Sequence, residues 1–346
     1  MSLQVDRPVN VALIGAGLIG AFHAESLARR IPGARLAAVA DALPGRAEAV
    51  ARQLGCPRWA TDYRSLLADS ELEAVVVATT AQAHVDAIVA AAGAGKAVFC
   101  EKPIAHTLQE ADRAITACRA AGVPLQIGFQ RRFDAAYRAA HHLASSGALG
   151  SIQLLRSITR DPELDAPDRI PPWAIFLETL IHDFDVLRWL CGAEPVEVFA
   201  TAGALVRPDL AAAGLRDTAV VTVRFANGAL ATADASFQAV YGYDVRAEVF
   251  GSAGMATAGD GRTSSTLRYG ADGISAPHTG SFIERFGQAY TAELAHFAAC
   301  VRAGTAPACT GEDGRAALAM ALAAIQSAQS ARAVPLSEVE PVRAVP

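Results

Sequence analysis

The chain has 346 residues, 52% of them hydrophobic, and a formal net charge of -5. That length exceeds one simple core, so two domains are expected, and the apolar content suffices for both. With no dominant basic patch, nothing calls for nucleic acid or an anionic membrane surface as partner.

The first residues show no cationic segment followed by a long apolar run, so no secretory signal is expected. The longest apolar run, Ala316–Ile325, is too short to span a bilayer. A cytoplasmic protein without a membrane partner is the expectation. Six cysteines (Cys56, Cys100, Cys118, Cys191, Cys300 and Cys309) are scattered without a CxxC pair. Reduced, mostly buried thiols are expected, with no disulfide framework and no metal.

Short apolar runs at Val9–Ile14, Arg35–Asp41, Glu73–Thr79, Lys96–Glu101 and Pro124–Phe129 alternate with Ala-rich helical stretches. This alternation predicts a parallel sheet covered by helices on both faces. Thr107 and Glu110 form a capping box before one of those helices. The first run leads into Gly15, Gly17 and Gly20, which open the next helix. Such glycines permit a tight turn, close approach to a pyrophosphate and close helix–strand packing. Gly15, Gly17, Leu18, Ile19 and Gly20 are therefore the expected phosphate turn. Asp41 ends the second strand and suits a ribose 2′,3′-diol. It would repel a 2′-phosphate, so NAD is favoured over NADP, although Arg46 offers a phosphate partner.

Beyond residue 130 the pattern changes. Ser151–Arg160, Pro195–Leu205, Asp217–Phe237 and Tyr243–Ala258 read as alternating strands, with turn signals at Ala226–Gly228 and Gly251–Gly254. Helices are predicted near Arg132–Ser146, Glu178–Leu190, Ile283–Ala303 and Gly311–Arg332, the last capped by Thr310 and Asp313. Tyr269–Ser281 is Gly-rich and polar, a candidate mobile loop. The fold class expected is an α/β Rossmann N-terminal domain plus an α+β C-terminal domain with a large, mainly antiparallel open sheet. The domains run 1–128 for NAD binding and 129–346 for substrate binding and oligomerisation.

Two motifs carry chemistry. Lys102 lies in EKP (Glu101–Pro103) at the end of a predicted parallel strand, where ligands of such sheets bind. By itself it also fits a solvated surface lysine. FLETLIHDFDVLRWL (Phe176–Leu190) is apolar yet holds Glu178, His182, Asp183 and Asp185. Helical spacing puts Glu178 and Asp185 on the His182 face and directs Asp183 elsewhere, toward solvent. A histidine with a neighbouring carboxylate suits a general base, and equally suits a buried histidine satisfied by one acid.

GAGLIG, EKP and IHDFD together resemble the glucose–fructose oxidoreductase and inositol dehydrogenase family (Gfo/Idh/MocA). GFQRRFD (Gly128–Asp134), ITRDP (Ile158–Pro162), TLIHDFDVLRWL (Thr179–Leu190) and QAVYGYDVRAEVFGSAGM (Gln238–Met255) resemble its inositol 2-dehydrogenases. The resemblance covers nearly the whole chain. It implies NAD-dependent oxidation of a cyclic polyol or sugar hydroxyl to a ketone. It implies His182 as base, Lys102 as hydrogen-bonding partner and Glu178 where the family carries an aspartate. Glu101 and Lys102 join the implied cofactor contacts. Arg132, Asp161, Asp185 and Tyr241 are the implied polyol contacts, with Arg131 and Tyr243 as neighbouring candidates. Pro171, Pro172 and Trp173 depart from the family by stiffening the loop before the histidine. The open sheet suits a homo-oligomer, a dimer or tetramer. Oxidation of another sugar such as a pyranose, a non-catalytic NAD-binding sensor, and non-redox chemistry on the same fold stay open.

Overall fold

The computed structural model describes residues 7–164, 166–259, 262–264 and 266–339. The apolar runs of the first third become strands β1 (Val9–Ile14), β2 (Ala34–Ala40), β3 (Trp59–Ala60), β4 (Ala74–Val77), β5 (Ala97–Glu101) and β6 (Leu125–Gly128). They form one sheet in the order β3-β2-β1-β4-β5-β6, with every pairing parallel. Val11, Leu13, Val75, Val76 and Val98 are fully buried, as strands covered on both faces must be. The intervening helices are α1 (Leu18–Arg29), α2 (Arg46–Leu54), α3 (Arg64–Leu67), α4 (Ala81–Gly93) and α5 (Leu108–Ala121). The capping box forms at α5, where the Thr107 hydroxyl accepts the Glu110 N–H at 3.2 Å. The strand order reverses between β1 and β4, and ligands of open α/β sheets bind at such a point.

The chain divides into two compact units, one through Gln130 together with Gln288–Arg315, the other Arg131–Gly287 with the residues from Ala316 onward. A single division at 128/129 puts 288–315 in the second domain, whereas contact puts that stretch in the first. The reason is apolar burial: Leu294, Phe297 and Ala298 complete the core around β1, β2 and Phe99.

In the second unit, β7 (Ile152–Arg160), β8 (Pro195–Gly203), β9 (Thr218–Phe225), β10 (Leu230–Ser236), β11 (Asp244–Gly251), β12 (Gly254–Ala258) and β15 (Val334–Pro335) share one sheet. Its order is β12-β11-β7-β10-β9-β8-β15. The expected hairpins form at both turn signals. The pairing of β10 with β7 is parallel and the others are antiparallel, so the sheet is mixed. The segment read as a loop after Tyr269 contributes to a small exposed ribbon, β13 (Arg268–Gly270) against β14 (Gly273–Ser275).

The helix expected from Arg132 begins later. Gln130–Phe133 form a 3-10 turn, and Asp134 then caps α6 (Ala135–Ser145) by accepting the Ala136 and Tyr137 N–H groups. The helix expected over Glu178–Leu190 is two elements, a π-helical turn Ile175–Thr179 and α7 (Ile181–Cys191). The closing helices are α8 (Phe282–Ala303) and α9 (Gly311–Ser330). Among the described residues no helix is long and apolar enough to cross a membrane.

Candidate active site

The glycine turn is built by close backbone approach. Gly15 has φ +95°, and a Cβ there would lie 2.5 Å from the Ala78 carbonyl oxygen just past β4. A Cβ on Gly20 would lie 2.0 Å from the Gly15 oxygen. Gly17 differs, because its Cβ would meet nothing within 4 Å. Two glycines thus serve the fold, and the third leaves open the approach to the α1 N-terminus. That terminus has no side-chain cap and no acid in its first turn, so its N–H groups and dipole suit an anion. Ile19 packs on the core, whereas Leu18 stands 69% exposed beside the turn.

Asp41 braces the same turn. Its carboxylate accepts the Ala16 N–H at 2.7 Å and the Leu43 N–H at 2.8 Å. A carboxylate has about four lone-pair sites, so capacity remains for a ribose diol. Arg46 lies 3.8 Å from the same carboxylate. The pyrophosphate and ribose parts of NAD therefore find a fitting cradle in this unit. Gly17→Val should melt close to wild type yet bind NADH at least about tenfold more weakly, read by fluorescence titration. Gly20→Val should fail to fold, because backbone occupies the space it needs.

Lys102 follows directly on β5 and is half-buried. Its main-chain N–H donates to the Glu101 carboxylate at 3.2 Å. Fully buried His84 has ring nitrogens 2.8 Å from the Pro103 carbonyl and 3.1 Å from that of Thr79, which ties this turn to the loop after β4. Burial pushes the His84 pKa down. Glu101, expected among the cofactor contacts, is buried and engaged by His23 Nε2 at 2.7 Å.

His182 lies in the first turn of α7 and is 9% exposed. Glu178 sits in the π-helical turn, is exposed, and lies outside the helix that carries His182. The two residues remain four positions apart across the junction of the π-helical turn and α7.

Asp183 is a correction. It does not point to solvent but is fully buried. Arg131 donates to its Oδ1 at 2.9 Å, the Thr159 hydroxyl donates to its Oδ2 at 2.8 Å, and the Ser157 hydroxyl donates to Oδ1. Arg131 also donates to Thr159 Oγ1 at 2.8 Å. α7 packs against β7, so the inward hydroxyls of that strand meet the carboxylate. Burial opposes the charge on Arg131, but Asp183, Tyr137 and Tyr243 outweigh it and the guanidinium pKa rises.

Two expected polyol contacts meet each other. Arg132 grips Asp185 with two hydrogen bonds, Nε to Oδ2 at 2.8 Å and Nη2 to Oδ1 at 2.6 Å. Its guanidinium stands 5.8 Å from the centre of the Trp189 ring, which stacks on His141. Tyr241 is half-exposed and donates to Asp244 at 2.8 Å, while Tyr243 is buried edge-on to Phe286. Asp161 is held through its main chain, its N–H on the Ser236 carbonyl and its carbonyl receiving the Ala239 N–H. His23, Glu293 and the Arg131–Asp183 pair were not singled out from the sequence as a network. Their signal was polar side chains on the apolar faces of helices.

The first unit is thus a nucleotide-binding α/β domain, and the second places a buried histidine beside two buried ion pairs. Residues 9–129 match the oxidoreductase family with an NAD-binding Rossmann fold, and residues 137–257 match the GFO/IDH/MocA C-terminal domain. The myo-inositol 2-dehydrogenase of Thermotoga maritima is 38% identical over 333 residues, 96% of this chain and 99% of that protein. The NAD(+)-dependent scyllo-inositol 2-dehydrogenase of Bacillus subtilis is 37% identical over 333 residues, 96% of this chain and 97% of that protein. A scyllo-inositol dehydrogenase from Lactobacillus casei, solved with NAD(H) and scyllo-inositol, has a TM-score of 0.92 at 28% identity. That match covers 96% of this chain and 100% of the other. The chain belongs to the Gfo/Idh/MocA family and is an oxidoreductase with NAD as its cofactor.

Proposed function

We propose that this chain oxidises one hydroxyl of an inositol or a closely related cyclic polyol to a ketone. The observation that carries the reading is full-length similarity to dehydrogenases named for two inositol isomers, at 38% and 37% identity. When bound, NAD supplies the acceptor for the hydride that leaves the carbinol carbon. The residues of the chain handle the proton and the developing charge. His182 takes the hydroxyl proton as general base. Lys102 donates a hydrogen bond to the same oxygen and stabilises alkoxide character as it develops. Glu178, four residues before His182, tunes the base.

The ring hydroxyls are read by Arg132 and Asp185 as a preformed pair, by Asp161, and by the Tyr241 hydroxyl. A paired guanidinium and carboxylate present donors and acceptors in fixed directions, which suits a ligand bearing both on every carbon. Gly15, Gly17, Leu18, Ile19, Gly20, Asp41, Glu101 and Lys102 line or support the cofactor. Asp41 supports NAD over NADP, since it faces a ribose diol better than a phosphate.

A homo-oligomer through the open sheet belongs to the same reading. In register across that sheet, Met255, Phe250, Leu154 and Leu230 form one apolar row. Phe250, Met255 and Leu230 are exposed in the single chain. Sedimentation velocity should accordingly give a dimer or tetramer.

The deciding experiment follows NAD reduction against myo-inositol, scyllo-inositol, the chiro-inositols, glucose, xylose and galactose, with NADP in parallel. Turnover of an inositol with NAD is the expected result. Turnover of a pyranose alone would move the substrate to the sugars. Silence across the panel with NAD still bound would end the inositol reading.

A further inference from the structure

Three buried polar side chains next to Lys102 have no part in the proton and hydride transfers. His23 comes from α1, Glu101 from the end of β5 and Glu293 from α8, all within the first unit. His23 Nε2 and Glu101 Oε1 are 2.7 Å apart. One nitrogen or oxygen of each residue lies within 4.8 Å of those of the other two. Glu293 is 0% exposed, and neither of its carboxyl oxygens has a hydrogen-bond partner among the described residues.

A carboxylate cannot be kept charged there at small cost, having no donor and a second carboxyl beside it. Glu101 on β5 and His23 on α1 lie within 4.8 Å of it, and Tyr290 on α8 stands edge-on to His23. Neutral Gln126 on β6 donates to the Glu293 main-chain carbonyl at 2.9 Å. Burial first, and then the charge of Glu101, push the Glu293 carboxyl well above the usual carboxylate range. Glu101 reaches the functional turn directly, since its Oε2 accepts the Lys102 N–H. Gly128 stands opposite Glu101 in the sheet, and a Cβ there would crowd the Glu101 carboxyl at 3.1 Å.

We propose that His23, Glu101 and Glu293 form a positioning device for Lys102. Glu293 holds its proton in this buried position, and the imidazole fixes Glu101 against the Lys102 turn. The role toward Lys102 rests on the proposed reaction, and the proton on Glu293 does not.

The test uses the full chain and two substitutions. Glu293→Gln is a neutral isostere of the protonated acid. A carboxyl whose pKa is raised by folding contributes stability that is fully present below its unfolded value, about 4.3, and is lost as pH rises toward the folded one. Glutamine escapes that loss. The melting temperature of E293Q relative to wild type should therefore climb as pH goes from about 5 to about 8. A deficit that stays flat or deepens with pH would overturn the proton on Glu293. So would a chelator that lowers the wild-type melting temperature but spares E293Q, which would assign a bound cation.

His23→Leu should lower kcat about tenfold, with KM for NAD and polyol within about twofold, and His23→Gln should recover most of the loss. Full turnover by folded H23L would overturn the positioning role. If wild type turned over no polyol, the functional reading would fail, and the melting series would still decide the proton.

Discussion

Replacing His182 by alanine is expected to lower turnover with NAD and the preferred polyol by about 10²–10⁴-fold at neutral pH, the range a general base contributes. The affinity for NADH should stay within about threefold, because cofactor recognition rests on the glycine turn and Asp41 in the other unit. The melting temperature should change little, since the Arg131–Asp183 and Arg132–Asp185 ion pairs, whose carboxylates lie on the same helix, remain. Added imidazole should restore part of the rate. Rescue of that kind separates a missing proton acceptor from a collapsed pocket, because a small base fills the first and repairs nothing in the second. H182A turnover within about threefold of wild type would remove His182 from the mechanism.

The neighbouring position shows where sequence reading stops. The glycine turn was legible because Gly15 and Gly20 answer to backbone geometry, and the spacing of the turn is local. The β1–Asp41 spacing and the capping box at Thr107 were legible for the same reason. Two-residue strands such as β3 and β15 carry no periodicity and were invisible. The π-helical turn before α7 was invisible too, since an apolar run of ordinary composition does not disclose one extra residue in a turn. Asp183 was misread because side-chain direction on a helix decides which face a residue occupies, not whether that face is wet. Arg131, some fifty positions earlier, and the hydroxyls of Ser157 and Thr159 make burial tolerable there. No local pattern announces such partners. Arg132 and Asp185 were both legible as site candidates, but their mutual pairing appears only once the 3-10 turn Gln130–Phe133 and α7 are folded together.

Asp183→Ala should therefore behave unlike His182→Ala. It removes one partner of an ion pair whose side chains are 1% and 0% exposed, and it strands the Arg131 charge in the interior. Breaking a buried pair in this way costs about 3–5 kcal/mol. At roughly 2–4 °C per kcal/mol for a domain of 150–250 residues, the melting temperature should fall by on the order of 10 °C. The cost should come mainly from the orphaned guanidinium rather than from loss of a favourable contact. Adding Arg131→Met to Asp183→Ala should then be less damaging than the sum of the two single substitutions. Additive penalties would mean that the two residues stabilise the unit independently. A fall of less than about 1 kcal/mol for Asp183→Ala, measured by chemical denaturation, would mean that water reaches this pair and that the buried network does not hold α7 against β7.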